Sequence, residues 1–446
     1  MNFRKTSIIL SFAAMSASMM TAEPVVSNVT LAQDQSTRKV TITYSLSQEP
    51  GIVTVDILTN GVSIGDANLT HFAGDVNRVV QTGNARTIHW YPEEAWPSNR
   101  TDAATALVTA WATNAPPNYM VVDLIDGAMT YYTSTNCLPD GGLANDVYRT
   151  DRMVFRKIPA RGVTWRMGSP TNELGRTKTG GTSDETPHLV TLTKDYWFGI
   201  YPVTMGQHKR FTDNNTDYAP SSCFFTNIAS HLTRPMQGIG VKSVRSSSTV
   251  SWPDSGHAVA SGTYIAKFRA RVGGLPFDLP TEAQWEYAAR AGAGTALTTG
   301  KDLNQKDADP QLDVLGRYQK NCGLADTAST DAAIRANDDS TGTSKVGIYL
   351  PNRWGIYDIH GNVHDVCLDR YAEYAGDMET VQADPVGGDS SYTKYVARGG
   401  CWGYYDGKRG GNAANCRLAT RRQAENDTDK AVSFRHYGYR LCLEIE

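Results

Sequence analysis

Leu279-Pro280-Thr281-Glu282-Ala283-Gln284-Trp285-Glu286-Tyr287-Ala288-Ala289-Arg290 is the clearest helix in this sequence, and it sets the fold class of everything around it. Thr281 can cap the first turn by accepting a backbone N–H, and Glu282 suits the positive end of the helix dipole. Gly292 supplies a stop. Around the helix the texture is different: strand-like runs at 153–158, 189–192 and 196–200 stand between long loops rich in Gly, Ser, Thr and Asp. Residues 204–211 predict a second, shorter helix. Residues 213–275 carry no clear period and read as loop, which at such length needs pinning by metal, disulfide or packing. The pattern is α+β and loop-rich.

Upstream the reading is all-β. Val40, Ile42, Tyr44 and Leu46 alternate with polar neighbours, as do Val53, Val55 and Ile57, and Asn60-Gly61 offers a hairpin turn. Ile88 with Trp90, then Leu107 with Thr109 and Trp111, continue the period of two. Short strands at this spacing predict an immunoglobulin- or fibronectin-like β-sandwich over residues 24–115. Ala115-Pro116-Pro117-Asn118 opens an expected linker over 116–127, because paired prolines stiffen the chain and block sheet pairing. The main domain is expected over 128–446.

The first 22 residues read as a secretory signal: Arg4-Lys5, an apolar run with small residues, and Ala22 before Glu23-Pro24. An uncleaved anchor is the other reading, but the run is short and rich in Ser for a span. The expectation is export to the periplasm or beyond, with no membrane span once the signal is cleaved. The 446 residues suit two domains, and a formal charge of −3 without a basic stripe argues against nucleic acid as a partner. Seven cysteines without a CxxC pair exclude zinc-site spacing. Outside the cytoplasm they allow up to three bridges of undetermined connectivity, Cys367 with Cys416 being one pairing considered.

A series of motifs now becomes specific. Residues 153–168 end in Met167-Gly168; Glu185-Thr186-Pro187-His188 and Tyr201-Pro202-Val203-Thr204 follow, then the helix at 279–290. Asn352-Arg353-Trp354-Gly355-Ile356-Tyr357-Asp358-Ile359-His360-Gly361-Asn362-Val363, Arg398-Gly399-Gly400, Arg417-Leu418-Ala419-Thr420-Arg421 and Tyr437-Gly438-Tyr439-Arg440 complete the order. In this register residues 150–446 resemble the formylglycine-generating enzyme, or sulfatase-modifying factor, family. The resemblance implies a loop-rich variant of the C-type lectin-like fold. It also implies an oxidase in which Cu(I), held by two thiolates five positions apart, converts a sulfatase cysteine to formylglycine.

That cysteine pair is missing. Residues 402–415 contain no cysteine; Tyr404 falls at the first expected thiol, and the second falls within 409–413. Cys401 and Cys416 flank the gap as weak catalytic candidates, either a displaced copper site or inert structural thiols. His360 and His364 would form a metal pair only if helical. The resemblance further implies structural calcium. One site would use the Asp358 and Asp365 side chains with the Gly361 and Val363 carbonyls; the other, Asn321 and Asp338 with the Cys322 and Ser340 carbonyls. The expected function is recognition of a protein or peptide, possibly a sulfatase, without catalysis. The alternative is a divergent copper-dependent oxidase. An iron-dependent relative's chemistry fits less well, because only His71 and His89 lie in the strand-rich N-terminal region.

Overall fold

The computed structural model describes residues 22–176, 185–211, 231–247, 250–323, 342–374, 379–389, 391–403, 411–424 and 436–446. It is mixed and sheet-rich with few helices. The N-terminal region carries β1 (Val25–Gln33), β2 (Val40–Ser47), β3 (Gly51–Thr59), β4 (Val62–Ser63), β5 (Phe72–Gly74), β6 (Arg78–Val80), β7 (Gly83–Trp90), the short helix α1 (Pro92–Ala95) and β8 (Ala104–Trp111). These make two sheets, β1-β2-β7-β5 and β4-β3-β6 with β8 paired to β3. Val40, Ile42, Tyr44, Leu46, Val53, Val55, Ile57, Ile88 and Trp90 are all buried in one hydrophobic cluster.

The face of β8 is the reverse of the one expected. Its pairing sets Val108 opposite Val55, so Val108 points into the core at 7% exposure while Leu107 stands outside at 53%. A strand's two faces exchange with a single-residue step, and bulk alone did not reveal which face was inward.

A five-stranded sheet joins the two regions. It contains β9 (Tyr119–Asp123), β10 (Met129–Tyr132), β11 (Arg152–Ile158), β14 (Tyr196–Gly199) and β20 (Cys442–Glu444), in the order β10-β9-β11-β14-β20. The chain between β10 and β11 includes the one-turn helix α2 (Val147–Thr150), and β12 (Val163–Met167) and β13 (His188–Leu192) precede β14. Strand β9 lies inside the stretch expected as linker. Its residues are apolar on both faces, and both faces are covered: Val121 and Val154 pack with the N-terminal core, Met120, Val122, Met153 and Phe155 with the main core. A strand buried on both sides is a run of apolar residues without alternation, which is why the stretch 119–123 did not read as one.

The helices α3 (Met205–Lys209), α4 (Val241–Val244) and α5 (Tyr264–Arg271) come next. Helix α3 has a full capping box between Thr204 and Gln207. Helix α5 stands where loop was expected: Thr263 caps it, and Tyr264, Ile265 and Phe268 enter the main core. Helix α6 (Glu282–Arg290) matches its reading, with Thr281 and Gln284 capping each other and Ala291 left-handed at the C-terminus. The last sheet is β18-β17-β15-β19, from β15 (His364–Arg370), β17 (Tyr395–Arg398), β18 (Arg421–Ala424) and β19 (Tyr437–Gly438); β16 (Val381–Ala383) joins β12 and β13. Among the described residues no helix is long and apolar enough to cross a membrane.

Candidate functional site

Helix α6 carries two acids one turn apart, Glu282 and Glu286, and both are fully buried. A buried carboxylate needs partners, and the motif arginines supply them. Glu282 receives Arg421 Nε at 2.6 Å and Nη2 at 2.8 Å, with the Tyr374 hydroxyl donating at 3.1 Å. Glu286 accepts from the Gly168 N–H at 2.9 Å, from Arg290 Nε and Nη2 at 2.8 and 2.7 Å, and from Arg398 Nη2. Arg398 spends its other nitrogen on the carbonyls of Ala419 and Thr420. Arg417 grips both oxygens of Glu185 at 2.8 and 2.9 Å and also meets Glu173. Burial pushes the Glu282 and Glu185 carboxyls up, but their arginines outweigh it and hold both below the usual range. The signature residues are therefore the members of one buried ionic framework.

Beside α6 lies a cavity of about 170 Å³ lined by His188, Glu282, Asp369, Tyr374 and Arg421. Asp369 accepts the Glu282 N–H at 2.7 Å. Burial and the neighbouring Glu282 carboxylate push its carboxyl up to about 8, so it carries its proton at neutral pH. Residue patterns gave no sign of this group, because its environment is assembled by α6 and β15 together.

The two thiols flanking the gap come together. Cys416 Sγ packs against Gly400, where an added Cβ would lie 2.4 Å from it, and the Cys401 backbone N–H points at it. Cys322 is close enough to raise Cys401 further. Burial drives Cys401 up to about 12 and Cys416 well above the usual thiol, so both carry their protons in the metal-free chain. The expected positions of the family's own pair, Tyr404 and 409–413, lie partly outside the described residues, and none is a cysteine. The chain does not fit that pair. No disulfide joins any two of the six described cysteines, and all six are buried. Cys367 and Cys416 belong to separate hydrophobic clusters, so the bridge considered for them is not made.

The histidine pair is also ruled out as a shared ligand set. His360 Nδ1 donates to the Cys416 carbonyl at 2.7 Å, so its Nε2 is an acceptor, taken by the Thr298 N–H at 3.1 Å. Burial lowers His360 to about 4 and holds it neutral. His364 opens β15 and lies against Tyr437 instead.

Asp358 and Asp365 meet at Arg440, a residue the sequence placed in a motif without a role. Arg440 Nε donates to Asp365 Oδ2 at 2.7 Å, and its Nη2 donates to the Asp358 carbonyl at 2.8 Å. Trp285 Nε1 also donates to Asp365 Oδ2, at 2.9 Å. Asp365 Oδ1 is buried without a hydrogen-bond partner. The Asp358 carboxylate accepts from the Gly347 N–H at 2.7 Å and Asn362 Nδ2 at 3.2 Å, and burial pushes it up to about 6. An orphaned buried carboxylate oxygen suits a cation, with Arg440 already filling part of that need; among the described residues no group of three or more His, Cys, Asp or Glu is gathered around it. At the second expected site, Asp338 and Ser340 lie outside the described residues. There Asn321 uses its side chain locally, accepting from the Tyr318 N–H and donating to the Gly316 carbonyl. The Cys322 carbonyl accepts the Gly342 N–H at 2.8 Å.

Comparison with known proteins places these features. The family described as "Sulfatase-modifying factor enzyme 1-like domain" matches residues 161–445. The formylglycine-generating enzyme of Thermomonospora curvata is 32% identical over 154 residues, which are 34% of this chain and 42% of that protein. A serine/threonine-protein kinase pkn1 of Chlamydia pneumoniae is 32% identical over 125 residues, 28% of this chain and 16% of the kinase. The chain thus spans less than half the length of these relatives. Among solved structures, PvdO from Pseudomonas aeruginosa aligns over 67% of this chain and 97% of its own, at 19% identity and a TM-score of 0.44.

Proposed function

The chain belongs to the sulfatase-modifying factor family, and from that premise we propose that it is a non-catalytic member that recognises a protein or peptide. One observation carries this reading. The buried ion pairs of Glu282, Glu286 and Glu185 with Arg421, Arg398 and Arg417 are intact, while residues 402–415 contain no thiol and the flanking Cys401 and Cys416 are buried. A scaffold kept whole around a lost metal pair retains a shaped surface and loses the redox step. The partner is an extended segment of protein, a sulfatase among the candidates. Asp358 and Asp365, with the Gly361 and Val363 carbonyls, would hold a calcium ion that ties the 358–365 loop to the sheet. The orphaned Asp365 Oδ1 supports that assignment. The same reading takes residues 1–22 as an export signal, the N-terminal sheets as a sandwich of immunoglobulin or fibronectin type, and the main domain as C-type lectin-like.

A second reading rests on the approach of Cys416 to Cys401 across Gly400: a displaced soft-metal site in a divergent oxidase. The two separate cleanly. Calcium-loaded protein is titrated by calorimetry with a Cys-x-Pro-x-Arg peptide and with its Ser-x-Pro-x-Arg analogue, with and without Cu(I). Recognition without thiol chemistry gives equal affinity for both peptides and no effect of copper. Stoichiometric Cu(I) uptake that disappears in Cys401→Ala or Cys416→Ala would sink the non-catalytic reading.

A further inference from the structure

A wide cleft in the described part of the molecule is lined by none of the thiols. It has a volume of about 590 Å³, inside the range of about 300–1,000 Å³ usual for small-molecule sites, and lies at the junction of the two regions, where such sites concentrate. One side of the lining comes from the N-terminal region with His71 and Glu94, another from the loop carrying Asn136, Asp140 and Gly141, and Tyr357 also lines the cleft.

Its chemistry is selective. No lysine or arginine lines it, and the nearby Arg152 is spent on Asp140 Oδ2 at 2.5 Å, so a phosphate or other anion finds no counter-charge. Beside Leu138, Pro139 and Leu143, the walls offer a balanced set of donors and acceptors. Glu94 Oε2 stands 3.7 Å from His71 Nε2, beyond hydrogen-bond length, so both groups keep capacity for a ligand. The Thr70 hydroxyl at 2.9 Å from His71 Nδ1 orients the ring so that Nε2 faces Glu94. The Asn136 side chain makes no hydrogen bond with the described residues, although its backbone is pinned by Ser134. Both walls also hold non-glycine residues in the left-handed region, His71 at φ 58° and Asp140 at φ 56°. Such backbone costs energy and concentrates where a site must be shaped.

We infer that this junction cleft binds a neutral saccharide of one or two rings. Each sugar hydroxyl both donates and accepts, which matches carboxylate, amide and imidazole groups side by side, and Tyr357 offers an aromatic surface for a ring's C–H face. The inference does not depend on how the thiol segment is read.

The test titrates the full chain by calorimetry with a panel of neutral mono- and disaccharides, alongside lysine and arginine methyl esters and inorganic phosphate as contrasting probes. At least one saccharide should bind saturably. Glu94→Gln should weaken it about tenfold, the loss expected for one charge-assisted hydrogen bond. Ala67→Trp, an exposed lining position, should fill the mouth and abolish binding while the thermal midpoint stays unchanged. The inference is overturned if no neutral sugar binds, if only the cationic esters or phosphate bind, or if sugar binding survives both substitutions.

Discussion

Glu286 accepts from the Gly168 N–H, Arg290 and Arg398 in the buried framework, and Glu286→Gln tests whether the signature residues act as that framework. Glutamine keeps the shape and one acceptor, which can still take the Gly168 N–H and Arg290. Its amide then faces Arg398 Nη2, donor against donor, in a site with no exposure on either side chain. Arg398 keeps the Ala419 and Thr420 carbonyls and Glu282 at 3.6 Å, so its charge is not wholly abandoned. Breaking a buried pair by removing one partner costs about 3–5 kcal/mol. With a urea slope near the top of the usual range, about 3 kcal/mol/M, the midpoint falls by about 1–1.7 M. Tryptophan fluorescence is a suitable probe, because Trp285 is buried with the Arg398 guanidinium 5.3 Å from its ring. Lys320→Ala, which removes an exposed pair with Asp313, is the control and should cost less than about 1 kcal/mol. A Glu286→Gln shift no larger than that control refutes the framework reasoning.

Other outcomes follow from the same structure. Asp369 stays protonated in the folded chain up to about 8, whereas in the unfolded chain it ionises near about 4. The folded state therefore holds the extra proton between those values, and stability declines as pH rises through that window. Asp369→Asn should remove a slope of at most about 1.4 kcal/mol per pH unit, read from urea midpoints at pH 5 and pH 8; parallel profiles would contradict it. Gly316→Ala should yield no folded protein by near-UV circular dichroism, since its Cβ would lie 1.4 Å from the His360 carbonyl oxygen. Thr263→Ala should cost about 1 kcal/mol by losing the cap of α5, measured by thermal or urea unfolding. Chelation should lower the melting temperature of the wild type but not of Asp365→Asn; calcium at 100 times its dissociation constant would contribute about 2.7 kcal/mol.

How much could be read from the chain depended on how local the determinants were. The start of helix α6 was legible because Thr281 and Gln284 cap it within one turn, while its left-handed C-cap falls on Ala291, one residue before the Gly292 expected as the stop. Strand β2 was legible because its core face alternates with a less buried one, whereas β3, buried along residues 51–55, was legible from Val53, Val55 and Ile57 in its sequence. Strand β9 was not, since a strand covered on both faces shows no period, and α5 was missed because its eight residues give too little pattern beside a long loop. The ionic framework was legible only as a list of motifs: Arg417 and Glu185 lie 232 residues apart, and nothing local assigns one to the other. The approach of Cys416 to Cys401 is likewise a tertiary fact. The absence of a thiol across 402–415 needed no structure at all.

The non-catalytic reading stands or falls on turnover. Calcium-loaded protein is incubated with Cu(I), dioxygen and a Cys-x-Pro-x-Arg peptide, and the peptide is weighed by mass spectrometry against a copper-only control. The expected result is unchanged peptide, with no aldehyde above the control. Aldehyde formed above that control, and lost on replacing Cys401 or Cys416, would contradict the account and return the chain to the oxidases.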